Sequence, residues 1–207
     1  MEFTEVIRRR RMFRAFTSEP LAPGAADRLL KAAERAPSAG FSQGYSFLVL
    51  EGAEQCAPFW KMLADAVDAE RGTETEEPAE VAALSTAQLV IVPLACKDVY
   101  LNRYAESDKG WTDLDESRWP VPYWFIDTGF TALLILLAVV DEGLGAQFFG
   151  IDSRWIADFR TRFGVPPEWE PIGAIAIGHP DRDNDPIPPL RPGERKPLTG
   201  LIHRGHW

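Results

Sequence analysis

The chain has 207 residues, 45% hydrophobic and 26% charged, with 31 acidic side chains against 22 basic ones. That profile excludes disorder, collagen and a disulfide scaffold, and a domain of this length buries roughly 70% of its unfolded surface without needing a metal or disulfide staple. The net charge of −9 is uneven: residues 1–14 carry Arg8, Arg9, Arg10, Arg11 and Arg14 against Glu2 and Glu5, residues 190–207 carry Arg191, Arg195, Lys196 and Arg204 against Glu194, and the chain between holds −15.

Thr4 caps a predicted short helix to about Arg11, with Phe3, Val6, Ile7 and Arg10 near one side; continued, that helix would aim Arg10 and Arg14 the same way. A loop follows to Pro20. Pro23 suits the first turn of a helix in which Ala26, Leu29, Leu30, Ala33 and Ala36 recur at helical spacing, stopped by Pro37. Tyr45 to Leu50 reads as a strand, and Ala53 to about Arg71 as a helix with Phe59, Leu63 and Val67 inward. From Asp65 to Glu80 seven acids face Arg71 alone, the pattern of a solvated face and loop. Ala87 to Cys96 is a nearly continuous apolar run suited to a buried strand.

Lys97 to Pro122 shows no period, is rich in acids and aromatics including Trp111 and Trp119, and has the length of a lid or binding loop. Tyr123 to Glu142 is apolar nearly all round, the mark of a central helix buried by the domain or by a second subunit, and Gly143 and Gly145 end it. Ala146 to Ile151 reads as a short strand. Asp152 caps a helix to about Phe163, closed by Gly164, and Ile172 to Ile177 is a last buried strand. A Pro-rich stretch from Pro180 to Pro197 leads to a tail able to wrap a partner. Residues 1–207 thus read as one domain of α+β or α/β order.

Several function classes fall away. A nucleic-acid binder would carry a net basic domain, whereas basic ends around an acidic middle suit a small anion. No leader segment is visible and the longest apolar run, Phe130 to Val140, falls short of the roughly 20 residues of a membrane span; with Cys56 and Cys96 far apart, the expected location is the cytoplasm. Gly40-Phe41-Ser42-Gln43-Gly44 matches Gly-x-Ser-x-Gly, but a helix precedes it and a strand follows, the reverse of a nucleophile elbow. Gly143-Leu144-Gly145 lacks the third glycine of a dinucleotide turn and also leaves a helix for a strand. His203 and His206 sit in a terminal tail, so no metal site is expected.

The arginine cluster has a use, because guanidinium forks match phosphate oxygens. Arg10-Arg11-Met12-Phe13-Arg14-Ala15-Phe16, followed by a helix ending Ala36-Pro37-Ser38-Ala39-Gly40-Phe41-Ser42-Gln43, resembles the opening of the FMN-dependent nitroreductase family. Asp141-Glu142-Gly143-Leu144-Gly145 with Gly150, then Ile177-Gly178-His179-Pro180 and Arg195-Lys196-Pro197, continue the resemblance in family order across nearly the whole chain. It implies an α+β homodimer, with a mostly antiparallel sheet flanked by helices, a long central helix at the dimer interface, an extended C-terminal arm and two FMN molecules between subunits. Arg10, Arg11, Met12 and Arg14, with Arg195 from the tail, would lie at the phosphate and ribityl end. Pro37, Ser38, Ala39, Phe41 and Gln43 would come from the partner subunit. Gln147, Phe148, Phe149 and Gly150 would pass the flavin edge, the N–H of Phe149 or Gly150 donating to N5.

Departures from the family are specific. Met12 stands where a serine is usual, Phe41 replaces an asparagine, Gly44-Tyr45 replaces Pro-Trp, and Ala82 stands at the position of a lysine near N1 and O2. The function implied is hydride transfer from NADH or NADPH to the flavin, then reduction of a nitroaromatic, quinone or similar flat acceptor, with no catalytic side chain required. The alternatives are a specialised member (a reductase of unsaturated or halogenated substrates, a flavin-fragmenting enzyme or a deazaflavin user) and a non-catalytic flavin-binding protein. Trp111, Trp119, Tyr123, Trp124 and Phe125 are candidates for stacking an acceptor or for packing at the dimer interface.

Overall fold

The computed structural model describes residues 1–71, 79–186 and 196–207, with side chains described for 1–66, 81–186 and 196–207. In chain order the elements are α1 (Phe3–Arg9), α2 (Ala25–Ala33), β1 (Tyr45–Glu51), α3 (Gly52–Arg71), α4 (Ala79–Ser85), β2 (Leu89–Ala95), α5 (Lys97–Ala105), α6 (Tyr123–Asp141), β3 (Gly145–Phe149), α7 (Ile156–Phe163), the two-residue β4 (Glu170–Pro171) and β5 (Ala174–Gly178). All strand pairs are antiparallel, in the order β1-β2-β5-β3, with β4 against the far end of β2.

Strand β2 explains the layering. Its seven residues are all buried, and successive side chains leave opposite faces of a sheet. Val90, Val92 and Leu94 therefore join Phe59, Trp60, Met62 and Phe159 of α3 and α7 on one face. Leu89 and Ile91 join Leu29, Ile135 and Val139 of α2 and α6 on the other. The result is an antiparallel sheet covered on both faces, the expected nitroreductase-like α+β arrangement. Pro93, which has no N–H, sits where the partner of β2 changes from β5 to β4, so the missing donor falls at a gap in the ladder.

Several elements depart from the sequence reading, among them α4, where no helix was expected. Helix α1 stops at Arg9, because Arg10 has left helical geometry at ψ 118°. Beyond it, Met12 bridges Ala146 and Phe16 bridges Pro180; burying Phe13, Ala15 and Phe16 against the sheet outcompetes another helical turn. Arg10 and Arg14 are therefore not helical neighbours. Within Lys97 to Pro122 the first nine residues form α5, which was hidden because Tyr100 is its only buried residue and no apolar stripe announces it. Asp152 caps a single 3-10 turn, accepting from the Arg154 N–H, and α7 starts only at Ile156. The Val67 side chain, most of the acidic stretch 65–80 and Arg195 lie outside the described residues.

Helix α6 is long and apolar enough to cross a membrane by length and composition. Its buried residues nevertheless include Asp127, Thr128 and Thr131, and the two threonine hydroxyls donate to carbonyls of the same helix. At the entry to β1, Gly44 accepts from the Cys96 N–H (2.9 Å), and a Cβ there would lie 2.5 Å from the Tyr100 ring and 2.9 Å from the Cys96 carbonyl. Gly44→Ala is expected to lower stability by about 1–3 kcal/mol, the usual cost of overpacking, measured by urea unfolding against the unmodified protein. An unchanged midpoint would contradict this packing.

Candidate functional site

Strand β3 is an edge strand, and the N-terminal segment lies along its free side. Phe13 donates its N–H to the Ala146 carbonyl (2.9 Å) and the Phe148 N–H reaches Met12 Sδ (3.5 Å). The same segment is fastened to the chain after β5: Thr17 donates to the His179 carbonyl (2.9 Å), and Asp181 to that of Ala15 (3.0 Å). Gly145 permits the close approach, since a Cβ there would lie 2.9 Å from Pro180 and 3.0 Å from Phe13. Of the expected cofactor residues, this brings Met12 directly against Ala146 and Phe148 of β3, with Arg11 and Arg14 on the same segment. The Phe149 ring turns inward against Phe59 and Trp60, and Phe148 packs toward α2 and α6. Both phenylalanines therefore offer the site their backbone more than their rings.

The arginines separate by partner. Arg8 and Arg9 share Glu5 on α1, which holds that carboxyl down at about 2. Arg11 pairs with the Asp185 carboxylate (2.9 Å) and lies 4.1 Å above the Phe13 ring, whose centre is 5.3 Å from Arg182. Arg10 and Arg14 are half-buried, and their guanidinium groups have neither ion pair nor hydrogen bond among the described residues; Arg10 donates only its backbone N–H, to the Val6 carbonyl (2.9 Å). On the edge strand, Gln147 Oε1 is buried without a hydrogen-bond partner among the described residues.

Pro37, Ser38, Ala39, Phe41 and Gln43 form a turn ahead of β1. Gly40, Phe41 and Gln43 all have left-handed φ, at 60°, 55° and 53°. The turn is closed internally by Gln43 N–H to Ser38 Oγ (3.0 Å) and Ser42 Oγ to the Ala39 carbonyl (2.6 Å). It is fastened from below by α5 and α6: Ala39 donates to Asp127 Oδ2 (2.8 Å) and Arg103 Nε to the Gly40 carbonyl (3.0 Å). Pro37, Phe41 and Gln43 face outward, with Phe41 75% exposed. Since β1 and β3 are the two outer strands, one chain holds this turn and the arginine segment at opposite sides of its sheet.

The acidic, aromatic excursion after α5 is tied down. Arg103 pairs with Asp108 (2.8 Å) as well as with the turn, Arg118 pairs with Asp113, and Lys97 with Glu116. Trp119 sits against Tyr100, Tyr104, Trp111, Tyr123 and Trp124, so four of the five aromatics considered as stacking surfaces pack within the subunit. Phe125 remains exposed. Asp127, Tyr100, Arg103 and Asp185 were not singled out from the sequence. For Asp127 a signal existed: it is a lone carboxylate in a helix otherwise apolar nearly all round. Cys56 is no nucleophile at neutral pH, because burial pushes its thiol up to about 11 and it donates to the Leu50 carbonyl.

The Nitroreductase family profile matches residues 7–179. Among solved structures, the nitroreductase CinD from Lactococcus lactis in complex with nicotinic acid superposes with a TM-score of 0.75 at 17% identity, over 98% of this chain and 99% of that one. A protein from Clostridium acetobutylicum assigned as an NADH oxidase gives 0.66 at 23% identity over 98% and 99% of the two chains. A protein from Desulfovibrio desulfuricans assigned as a nitroreductase and solved with FMN gives 0.69 at 22% over 98% and 95%. At these identities the likeness is one of fold. The family profile, spanning most of the chain, goes further: the protein belongs to the Nitroreductase family.

Proposed function

We propose that the protein is an FMN-dependent NAD(P)H oxidoreductase, working as a homodimer in the cytoplasm and reducing flat aromatic acceptors such as nitroaromatics or quinones. The observation that carries this reading is the contrast among the arginines. A half-buried guanidinium without a counter-ion is costly, and a phosphate in the cleft would relieve that cost at Arg10 and Arg14 through charge-assisted forks. Arg11, already held by Asp185, braces the chain that leads toward Arg195.

The register of β3 sharpens the backbone contact. Its Ala146 carbonyl and Phe148 N–H point off the sheet edge, so residues 145, 147 and 149 pair with β5. Continuing that alternation aims the Gly150 N–H outward and the Phe149 N–H into the sheet. Gly150 also has open space around its Cα. Of the two candidate donors to flavin N5, Gly150 is the one the register favours.

The homodimer rests on uncovered apolar surface. On α6, Ile126, Phe130 and Leu133 follow helical spacing and stay exposed, and on α1 Phe3 and Ile7 do the same. A second copy seated there would bring its turn, with Ser38, Ala39, Phe41 and Gln43, toward the arginine segment of the first. FMN, when bound, would supply the redox chemistry between a nicotinamide and the acceptor. The chain holds the phosphate with Arg10 and Arg14, orients the ring through the Gly150 N–H, and offers Phe41 and Phe125 as flat surfaces. CinD has been solved with chloramphenicol and with 4-nitrophenol, both aromatic ligands of the class proposed here.

Purified protein supplied with FMN is expected to be yellow and to bleach when NADH or NADPH is added anaerobically. Protein that takes up no FMN would refute the reading. Arg14→Ala is expected to weaken FMN binding by about tenfold or more, since hydrogen bonds to charged groups are worth roughly 1.5–3 kcal/mol. Arg8→Ala, which removes only a partner of Glu5, should leave the affinity within about twofold, as for an exposed pair. Equal affinities in the three proteins, measured by flavin fluorescence quenching, would sink the phosphate assignment.

A further inference from the structure

The turn before β1 is held in a conformation that its own sequence disfavours. Phe41 and Gln43 both sit at left-handed φ, which bulky residues seldom adopt. Such geometry persists only where the surroundings over-determine it. Besides the Arg103 contact to Gly40 and the bonds within the turn, one buried atom takes part. Asp127 Oδ2 accepts both the Ala39 N–H (2.8 Å) and the Tyr100 hydroxyl (2.9 Å).

The Asp127 side belongs to a residue only 2% exposed, on a helix whose neighbours are Trp124, Phe125, Ile126 and Phe130, and no cation pairs with it among the described residues. A buried carboxylate so placed is a liability for folding alone. Burial and the facing carboxylate push the Tyr100 phenol above its ordinary value, so it stays a donor throughout the physiological range. One carboxylate thus joins α6, α5 and the turn. Its helix also carries the exposed apolar face that a second copy would cover.

We propose that Asp127 is a positioning residue: by holding the Ala39 N–H it fixes the turn so that Phe41 and Gln43 are presented outward before the cofactor arrives. This rests on the flavin reading above, but Asp127 itself touches no cofactor. Its effect on binding is transmitted through the backbone of residues 38–43.

Four proteins test this: the unmodified chain, Asp127→Ala, Asp127→Asn and Val139→Ala. Three quantities are read: FMN affinity by fluorescence quenching, visible circular dichroism of bound flavin, and amide hydrogen exchange of residues 38–43 without FMN. Asp127→Ala should bind FMN about tenfold more weakly, with altered dichroism and faster exchange in the turn, because two buried donors lose their acceptor. Asp127→Asn should stay within about threefold, since its single carbonyl oxygen can take the place of Oδ2 and accept both donors. Val139→Ala thins the core of the same helix and should leave affinity and turn exchange unchanged. Unchanged exchange in Asp127→Ala overturns the clamp even if the protein binds no flavin. Normal affinity in that variant, or an equal loss in Val139→Ala, also overturns the proposal. An unmodified chain that takes up no FMN overturns the flavin reading, and with it the proposed role in cofactor binding, whatever the exchange shows.

Discussion

The strand order β1-β2-β5-β3 constrains everything the site can be. It places the turn of Pro37 to Gln43 and the arginine segment of Arg10 to Arg14 at opposite sides of one sheet. One is an outward-facing turn, and the other carries two cations on a segment along an edge strand. The sheet is buried on both faces, so the halves cannot meet through its middle. In the proposed reading they would meet across a contact between two chains, where α6 and α1 leave apolar surface uncovered.

Charge without a partner marks each half. Many ionic side chains among the described residues are neutralised locally: Glu5 by Arg8 and Arg9, Asp108 by Arg103, Asp113 by Arg118. Against that background the half-buried Arg10 and Arg14 and the buried Asp127 stand apart. A guanidinium and a carboxylate of this kind each lower stability unless something compensates. For the arginines the compensation would be an anionic ligand. For Asp127 it is the pair of donors that it holds in place, one of them in the turn.

Much of this was legible in the sequence, for identifiable reasons. The run Ala87 to Cys96 reads as a buried strand and Tyr123 to Glu142 as a central apolar helix, and β2 and α6 lie there. The motif residues could be named because their spacing resembles a family. Where reading failed, the deciding interaction was distant in sequence. Nothing near Arg10 indicates that Phe13 will bond to Ala146 and straighten the segment. Nothing near Arg11 points to Asp185, more than 170 residues away. The helix α5 was masked because tertiary contacts at Tyr100, not amphipathic period, hold it.

The two-chain construction of the site is the claim on which the rest depends, and a crystal structure of the protein with FMN tests it most directly. The account predicts that Arg14 of one chain meets the phosphate of a flavin whose ring is lined by residues 38–43 of the other chain. A flavin bound entirely by one chain, or one whose phosphate lies away from Arg10 and Arg14, would contradict it.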